Sequence, residues 1–377
     1  MTTLTPVTIE AYSFRVPIAN PVKVSFGSFR DRPMVLVRVR DADGTEGWGE
    51  AWCNWPSVGA EHRARLAADI GERLVGRTFE SPDQSLHSLT RDLEVLVLQT
   101  GEVGPIAQAI AAIDIAMWDL AARKQALPLY RMLGGAPRDT LPVYATGINP
   151  DNPEQFAVAR YAEGHRAFKL KIGFDRTRDL RNLRAMREAL GDDAVLTCDA
   201  NQAFSLEAAI DFSRAAAPID LQWLEEPLRV DAPPGEWRQL ADASPIPLAG
   251  GENLQGAQLD EAVTERVLRV LQPDVTKWGG ITEISRVSRA TVAAGKRYCP
   301  HFFGGGISLL ASLHLLAAAG GTGLLEYDCH PNAGRELVVG SLLSVRDGKV
   351  PVPDGPGLGA APDIASLMRY CTWPPRH

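Results

Sequence analysis

Residues 167–173 read AFKLKIG and residues 195–201 read VLTCDAN, two short apolar runs that each close on an ionisable side chain, Lys171 and Asp199. The pattern recurs on both sides. LPVYATG (141–147) precedes them, and LQWLEEP (221–227), IPLAGGE (246–252), RVLQPDV (269–275), KRYCPHF (296–302) and TGLLEYD (322–328) follow. Each run is parted from the next by a polar or glycine-bearing turn and a helical stretch. Strands alternating with helices at this spacing predict right-handed βαβ units on a parallel sheet, and eight runs close into a TIM-type barrel. A doubly wound open sheet is the alternative, but it calls for a GxGxxG or Walker loop after the first strand, and YATGINP supplies neither.

Upstream the rhythm differs. Segments 7–16 and 34–40 read as extended, the second with Val35, Val37 and Val39 alternating before the turn Asp41-Ala42-Asp43-Gly44. Helical patterns span 61–75, 83–99 and 105–124. The expected organisation is an α+β unit over 1–135, the barrel over 136–330, and a C-terminal segment, 331–377, that returns to the first unit. With 377 residues, 45% of them hydrophobic, the chain can bury a large core and divide into two domains. Its 39 Lys plus Arg against 46 Asp plus Glu give a net charge of −7, which argues against nucleic acid or an anionic bilayer as partner and favours a small molecule. The five cysteines form no CxxC pair or disulfide pattern, so a reducing, cytoplasmic setting is expected. Residues 1–17 show no basic stretch followed by an apolar run, and the apolar stretch 307–319 is broken by Ser308, Ser312 and His314, so neither export nor a membrane span is expected.

The ends of the runs carry the chemistry. Lys171, Asp199, Glu225, Glu252, Asp274, His301 and Glu326 follow one another at intervals of 22 to 28 residues, in step with the strands. In a parallel barrel such positions converge at one mouth, where active sites of this fold lie. Any one of them alone reads as a turn former or a solvated loop; the set reads as a site. Asp199, Glu225 and Glu252 offer oxygen donors only, which selects Mg²⁺ ahead of Mn²⁺ or Ca²⁺ and disfavours Zn²⁺. Without a cation the trio should repel and raise its own proton affinity. Asn201, two residues beyond Asp199, is placed to hydrogen-bond it. Lys169 and Lys171 share the inward face with Leu170 turned outward, and each ammonium should depress the other, leaving one lysine able to act as a base. Asp274 and His301 end adjacent strands, so the carboxylate can fix the imidazole tautomer and make a second acid/base group. His314 reads as a core residue, and His62, His87, His165 and His377 stand without clustered partners.

A metal, two opposed bases and no cofactor loop suggest removal of the proton next to a carboxylate, with the cation stabilising the enediolate. A Lys or His base beside Mg²⁺ is the known pairing of the enolase superfamily. The chain resembles its mandelate racemase and muconate lactonizing enzyme family through DGTEGWGE (43–50), AAIDIAMWDL (111–120), LYRMLGG (129–135), Lys169-x-Lys171, CDAN, WLEEP, AGGEN, LQPDVTKWGGITE (271–283) and PHF. The resemblance implies a modified TIM barrel of the (β/α)7β type under a cap made by the N-terminal unit and the C-terminal tail, assembled as a homo-oligomer. It implies Asp199, Glu225 and Glu252 as Mg²⁺ ligands, Lys171 as one base with Lys169 beside it, Asp274 and His301 as the opposite dyad, and Glu326 as a hydrogen-bond donor to the substrate carboxylate. Asp274 stands where the muconate lactonizing and dipeptide epimerase branches would carry a lysine, which places the chain in the mandelate racemase branch. Segments 19–32 and 51–58 are expected as loops closing on substrate, with Tyr144, Trp52 and Trp55 as candidate substrate contacts. Within the branch the likeness is to acid-sugar dehydratases and galactarolactone cycloisomerases, so dehydration or lactone cycloisomerisation is the expected outcome. Racemisation or epimerisation of an α-hydroxy or α-amino acid is the alternative within the family. A Schiff-base aldolase using Lys171, a phosphate site at Gly304-Gly305-Gly306 and a non-catalytic sugar-acid-binding protein are the readings outside it.

Overall fold

The computed structural model describes residues 3–375, and His377 lies outside them. Strands β1 (Pro6–Val24), β2 (Gly27–Asp41) and β3 (Glu46–Ala51) form an antiparallel meander. Helices α1 (Gly59–Gly71), α2 (Pro82–Thr100) and α3 (Val103–Lys124) cover one face of it. The alternation seen in the sequence sets that face: Val35, Val37 and Val39 are fully buried against these helices, while Arg38 and Arg40 on the other side pair with Glu46. Strand β3 lies on α3 almost backbone to backbone. A Cβ at Gly49 would sit 1.8 Å from the Ala112 carbonyl oxygen, so only glycine fits there. By length and composition α3 could cross a bilayer, yet 72% of its most apolar window is buried inside the protein.

Segment 19–32, expected as a loop, is instead strand. The β1–β2 pairing runs on to Val22↔Phe29 and Val24↔Gly27, because Val22, Val24 and Phe29 bury together with Ile18, Trp55 and Phe303 packed against them. The hairpin tip thereby reaches the barrel mouth.

After the short α4 (Leu129–Met132), eight parallel strands follow: β4 (Thr140–Ile148), β5 (Ala167–Lys171), β6 (Val195–Asp199), β7 (Leu221–Glu225), β8 (Leu248–Gly250), β9 (Val270–Leu271), β10 (Arg297–Tyr298) and β11 (Leu325–Asp328). Helices α5 (Pro153–Ala162), α6 (Arg176–Leu190), α7 (Leu206–Ala216), α8 (Pro234–Ala243), α9 (Ala257–Thr264), α10 (Gly280–Ala293) and α11 (Gly306–Ala319) join them in turn. Pairing runs β10-β9-β8-β7-β6-β5-β4-β11, and the Leu324 amide donating to Cys299 Sγ at 3.3 Å brings the two ends of the sheet together. This is a modified TIM barrel of the (β/α)7β type. Leucines such as Leu170 bury between strands and helices, while Tyr144, Trp223, Val270 and Cys299 fill the barrel interior. The tail adds β12 (Lys349–Pro351), antiparallel to the start of β4, and then β13 (Cys371–Trp373), antiparallel to β1.

Two buried carboxylates of the N-terminal unit fasten it to barrel helices. Glu50, on β3, accepts from the amides of Gly305 (2.5 Å) and Ser308 (2.9 Å) at the start of α11. Asp114, on α3, accepts from the Thr282 amide (3.0 Å) and hydroxyl (2.6 Å) at the start of α10. Both are side-chain caps supplied across the seam. Gly305 is also where Met34 packs: a Cβ there would lie 2.3 Å from the methionine sulfur.

Candidate active site

Lys171, Asp199 and Glu225 are level across three neighbouring strands, by the pairs Lys171↔Asp199 and Asp199↔Glu225. Glu252 stands two residues beyond the end of β8. On the far side of the barrel, His301 follows β10 and Asp274 follows β9, while Glu326 lies on β11. Both Lys171 and His301 face one cavity of about 520 Å³, together with Glu252, Glu326, Asn201 and Thr146. The strand-end periodicity thus becomes a ring around a single space.

The ring is tightly paired. Lys171 Nζ lies 2.5 Å from Asp199 Oδ2. Lys169 Nζ, fully buried, lies 2.6 Å from Glu225, 2.8 Å from Glu326 and 3.7 Å from Asp199. His301 Nδ1 donates to Asp274 Oδ2 at 2.7 Å and its Nε2 stands 2.5 Å from Glu252. Asp274 is in turn held by the Thr276 amide (2.8 Å) and hydroxyl (2.6 Å). Asn201 donates to Asp199 from both its amide (2.8 Å) and its side chain (3.2 Å), and Gln272 donates to Glu225 at 2.7 Å.

Three electrostatic expectations change. Lys169 is not depressed: burial opposes its charge, but Glu225, Glu326 and Asp199 outweigh it and hold the ammonium well above its ordinary pKa. Lys169 is therefore a fixed cation. Mutual repulsion within the carboxylate trio shows only at Glu225, which burial and its neighbours push up to about 7. Asp199 and Glu252 are lowered despite burial, by Lys171 and Lys169 in the first case and by His301 and Lys277 in the second. Glu326, expected to donate a proton, also falls below the usual carboxylate range: Lys169 overcomes its burial, and it accepts the Phe302 amide at 2.9 Å. His301 rises to about 10, since Glu252 and Asp274 prevail over desolvation.

Two further placements depart from expectation. Tyr144 is fully buried beneath Lys169, whose Nζ is 5.3 Å from its ring centroid, and it packs edge-on against Trp223 rather than lining the cavity. The Gly304-Gly305-Gly306 turn is not left to a phosphate, because Glu50 takes its amide. His314 is a core residue as expected, fully buried with Nδ1 accepting from the Tyr130 amide at 3.2 Å.

Trp52 and Trp55 do line the cavity, and with them come residues that spacing did not single out: Phe26, Phe29 and Phe303 above, Gln202, Asn253 and Lys277 beside Glu252. Lys277, buried, donates to Asn253 Oδ1 at 3.2 Å, approaches Glu252 at 3.5 Å and sits 4.6 Å from the Trp52 ring centroid. The sequence places Lys277 only three residues beyond Asp274, and that proximity was its available signal.

The barrel mouth, the ring and the cap correspond to a known arrangement. Residues 7–134 match the Mandelate racemase / muconate lactonizing enzyme, N-terminal domain, and residues 154–366 match the family described as Enolase C-terminal domain-like. The chain belongs to the mandelate racemase/muconate lactonizing enzyme family of the enolase superfamily. As a member of that family it is an enzyme, and it is 33% identical to D-galactarolactone cycloisomerase of Agrobacterium fabrum over 93% of this chain and 94% of that one. Its structure is similar to the crystal structure of a mandelate racemase/muconate lactonizing enzyme from Bordetella bronchiseptica, with a TM-score of 0.92, 48% identity, and coverage of 98% of this chain and 100% of that chain. A lysine-to-alanine variant of L-talarate/galactarate dehydratase, liganded with Mg and L-glucarate, is similar at a TM-score of 0.85 and 28% identity, covering 99% of this chain and 93% of that chain.

For a hard divalent ion, the donor chemistry of this family member fits. Asp199, Glu225 and Glu252 are oxygen donors at the barrel mouth, and Asn201 Oδ1 and Gln272 Oε1, on the side chains that hold Asp199 and Glu225, are buried without a partner. In the arrangement described, attraction draws each carboxylate onto Lys169, Lys171 or His301. Among the described residues no three acidic, histidine or cysteine side chains converge on one point.

Proposed function

We propose that this enzyme removes the α-proton of an acid-sugar carboxylate and eliminates a β-oxygen, by dehydration or by opening of a lactone or anhydro ring. Mg²⁺ is the proposed cofactor, held by Asp199, Glu225 and Glu252, and it supplies positive charge beside the substrate carboxylate. The carrying observation is that Lys171 and His301, the latter held by Asp274 behind it, line one cavity. Lys171 takes the proton from the α-carbon, the electron pair left there forms the double bond to the β-carbon, and the β carbon–oxygen bond breaks. The departing oxygen takes a proton from His301, whose ring Asp274 holds in one orientation. The enol product then ketonises to a 2-oxo acid. Lys169 stays charged beneath the ring and keeps Glu225 and Glu326 in place. Support comes from relatives named as a lactone cycloisomerase, an anhydro-galactonate cycloisomerase and acid-sugar dehydratases.

The test is incubation with Mg²⁺ and a panel of sugar acids, their lactones and simple α-hydroxy acids in D₂O, followed by NMR. Loss of a β carbon–oxygen bond is expected, with the α-carbon becoming the 2-oxo carbon and one deuterium gained at the former β-carbon when the enol ketonises, and EDTA should stop it. Deuterium gained with no bond lost would make the enzyme a racemase or epimerase. No exchange with any acid would overturn the proposal.

A further inference from the structure

The cavity has two unlike halves. Its floor is the ionic ring; its roof is aromatic. Phe29 lies 4.7 Å from Trp55 and 5.2 Å from Phe303, and Phe26 lies 5.8 Å from Trp55, centroid to centroid, so the rings form a continuous wall. Polar side chains near that wall are already engaged. Asn54 donates to the Phe303 carbonyl at 2.8 Å, and Ser25 donates to the Asn201 carbonyl at 2.9 Å. Arg32 pairs with Asp328 and lies over the Phe303 ring at 3.9 Å. Trp52 Nε1 and Arg32 Nε, both buried without a partner, are the donors left on that side among the described residues.

An extended polyhydroxy acid clamped by its carboxylate at the floor would press a row of hydroxyls against these rings and leave them unpaired. A ring behaves differently. Its oxygens project at the edge, toward Asn201, Gln202, Asn253 and Lys277, while its carbon–hydrogen face can lie flat on an aromatic surface. We infer that the substrate is a cyclic carboxylate whose ring packs on the Trp55–Phe29 wall, and not an open-chain polyhydroxy acid. This rests on the α-proton chemistry proposed above and narrows its substrate. The ring can come from a sugar-acid lactone or anhydride, or from an aryl group, and the shared chemistry is a flat apolar face joined to a carboxylate.

Steady-state kinetics of the Mg²⁺-supplemented enzyme decide it, with three arms: sugar-acid lactones or anhydro acids, the matching open-chain acids, and an aryl α-hydroxy acid. Ring acids should exceed open-chain acids by about tenfold or more in kcat/KM, the scale set by buried hydroxyls left without partners. Phe26 is 64% exposed, so Phe26→Ala leaves the fold intact; it should raise KM for ring acids several-fold with kcat little changed. Trp55→Ala should do so more strongly, by about tenfold, and Trp55→Phe should restore most of the loss. The aryl acid carries no β-oxygen to eliminate and is read by α-deuterium exchange; preference for it over the sugar rings would assign the ring to an arene and the outcome to racemisation. Open-chain acids turned over as well as ring acids, or unchanged ring-acid KM in Phe26→Ala, would overturn the inference while leaving the α-proton reaction standing. No α-exchange with any arm would fell that reaction and the inference with it.

Discussion

Two groups of carboxylates, one at the barrel mouth and one at the seam, are withdrawn from solvent to different ends, and their partners set them apart. At the barrel mouth, Asp199, Glu225, Glu252 and Asp274 each meet a lysine or histidine at 2.5 to 2.7 Å. At the seam between cap and barrel, Glu50 and Asp114 meet only backbone amides and a threonine hydroxyl, and burial pushes both up to about 7. The first set is balanced by cationic side chains, of which Lys169 is fixed and buried while Lys171 and His301 line the cavity. The second is balanced by fixed dipoles at helix starts and does structural work. Burial of an acid therefore does not mark a site, and neither does a cationic partner alone, since Asp119 and Asp41 pair with Arg123 and Lys124 away from the mouth; convergence of such pairs on one cavity does.

The sharpest way to break this contrast is to remove the partners at the mouth. Lys171→Ala should cut turnover by about 10²–10⁴-fold, the usual contribution of a general base. His301→Asn should cost a similar factor but leave exchange of the α-proton with solvent deuterium, because it removes the proton donor and not the base. Each also strips a buried carboxylate of its cation, Asp199 in the first case and Glu252 with Asp274 in the second, so turnover is compared at a temperature well below the lowered unfolding midpoint. Retained turnover in Lys171→Ala would show that the strand-end lysine is only an ion-pair partner for Asp199.

The contrast also explains what the sequence could and could not convey. Strand periodicity and ionisable strand ends stay in step because each βα unit is one local rule repeated, so the barrel and its ring were readable from 141 onward. The sign of the lysine shift was not, because it depends on Glu225 and Glu326, which lie 56 and 157 positions away from Lys169 and arrive only on folding. Tyr144 misled for a related reason: an aromatic residue on an inward strand position can face the mouth or the layer below, and spacing does not say which. The roof was hidden because Phe26, Phe29 and Phe303 come from opposite ends of the chain. Glu50 and Asp114 sat inside quoted motifs, yet their roles depend on amides 255 and 168 positions away.

At the seam, smaller effects are expected. Glu50→Ala leaves the Gly305 and Ser308 amides without their acceptor in a buried junction, and Asp114→Ala does the same to the Thr282 amide and hydroxyl. Each should destabilise by about 1–3 kcal/mol, seen in urea unfolding, with the active-site pH profile unchanged. Glu50→Gln and Asp114→Asn retain an acceptor and should lose less. If alanine at either position leaves stability intact, the cap is held by apolar packing alone.

The finest test is the pH dependence of stability, where seam acids and buried histidines pull in opposite directions. Glu50 and Asp114 rise from ordinary values of 4.5 and 3.8 to about 7 on folding, because burial outweighs the amide and hydroxyl donors. Across that window the folded state holds protons that the unfolded chain has released, so their contribution is full in acid and is lost as pH climbs through 7, by at most about 1.4 kcal/mol per pH unit for each group. His165 and His314 fall from 6.5 to about 4, chiefly through burial. Their contribution is full above 6.5 and is lost as pH falls through 4. Between pH 4.5 and 6.5 the two pairs largely offset one another; just above 6.5 only the carboxylates remain, and stability should decline. The double variant Glu50→Gln/Asp114→Asn should decline less steeply than the parent, and its stability relative to the parent should rise from pH 4.5 to 7. Groups at the barrel mouth titrate alike in both proteins, so they cancel when the two unfolding curves are compared. Parallel curves for the variant and the parent would mean that the seam carboxylates stay ionised in the fold, held by the helix starts more strongly than burial opposes them.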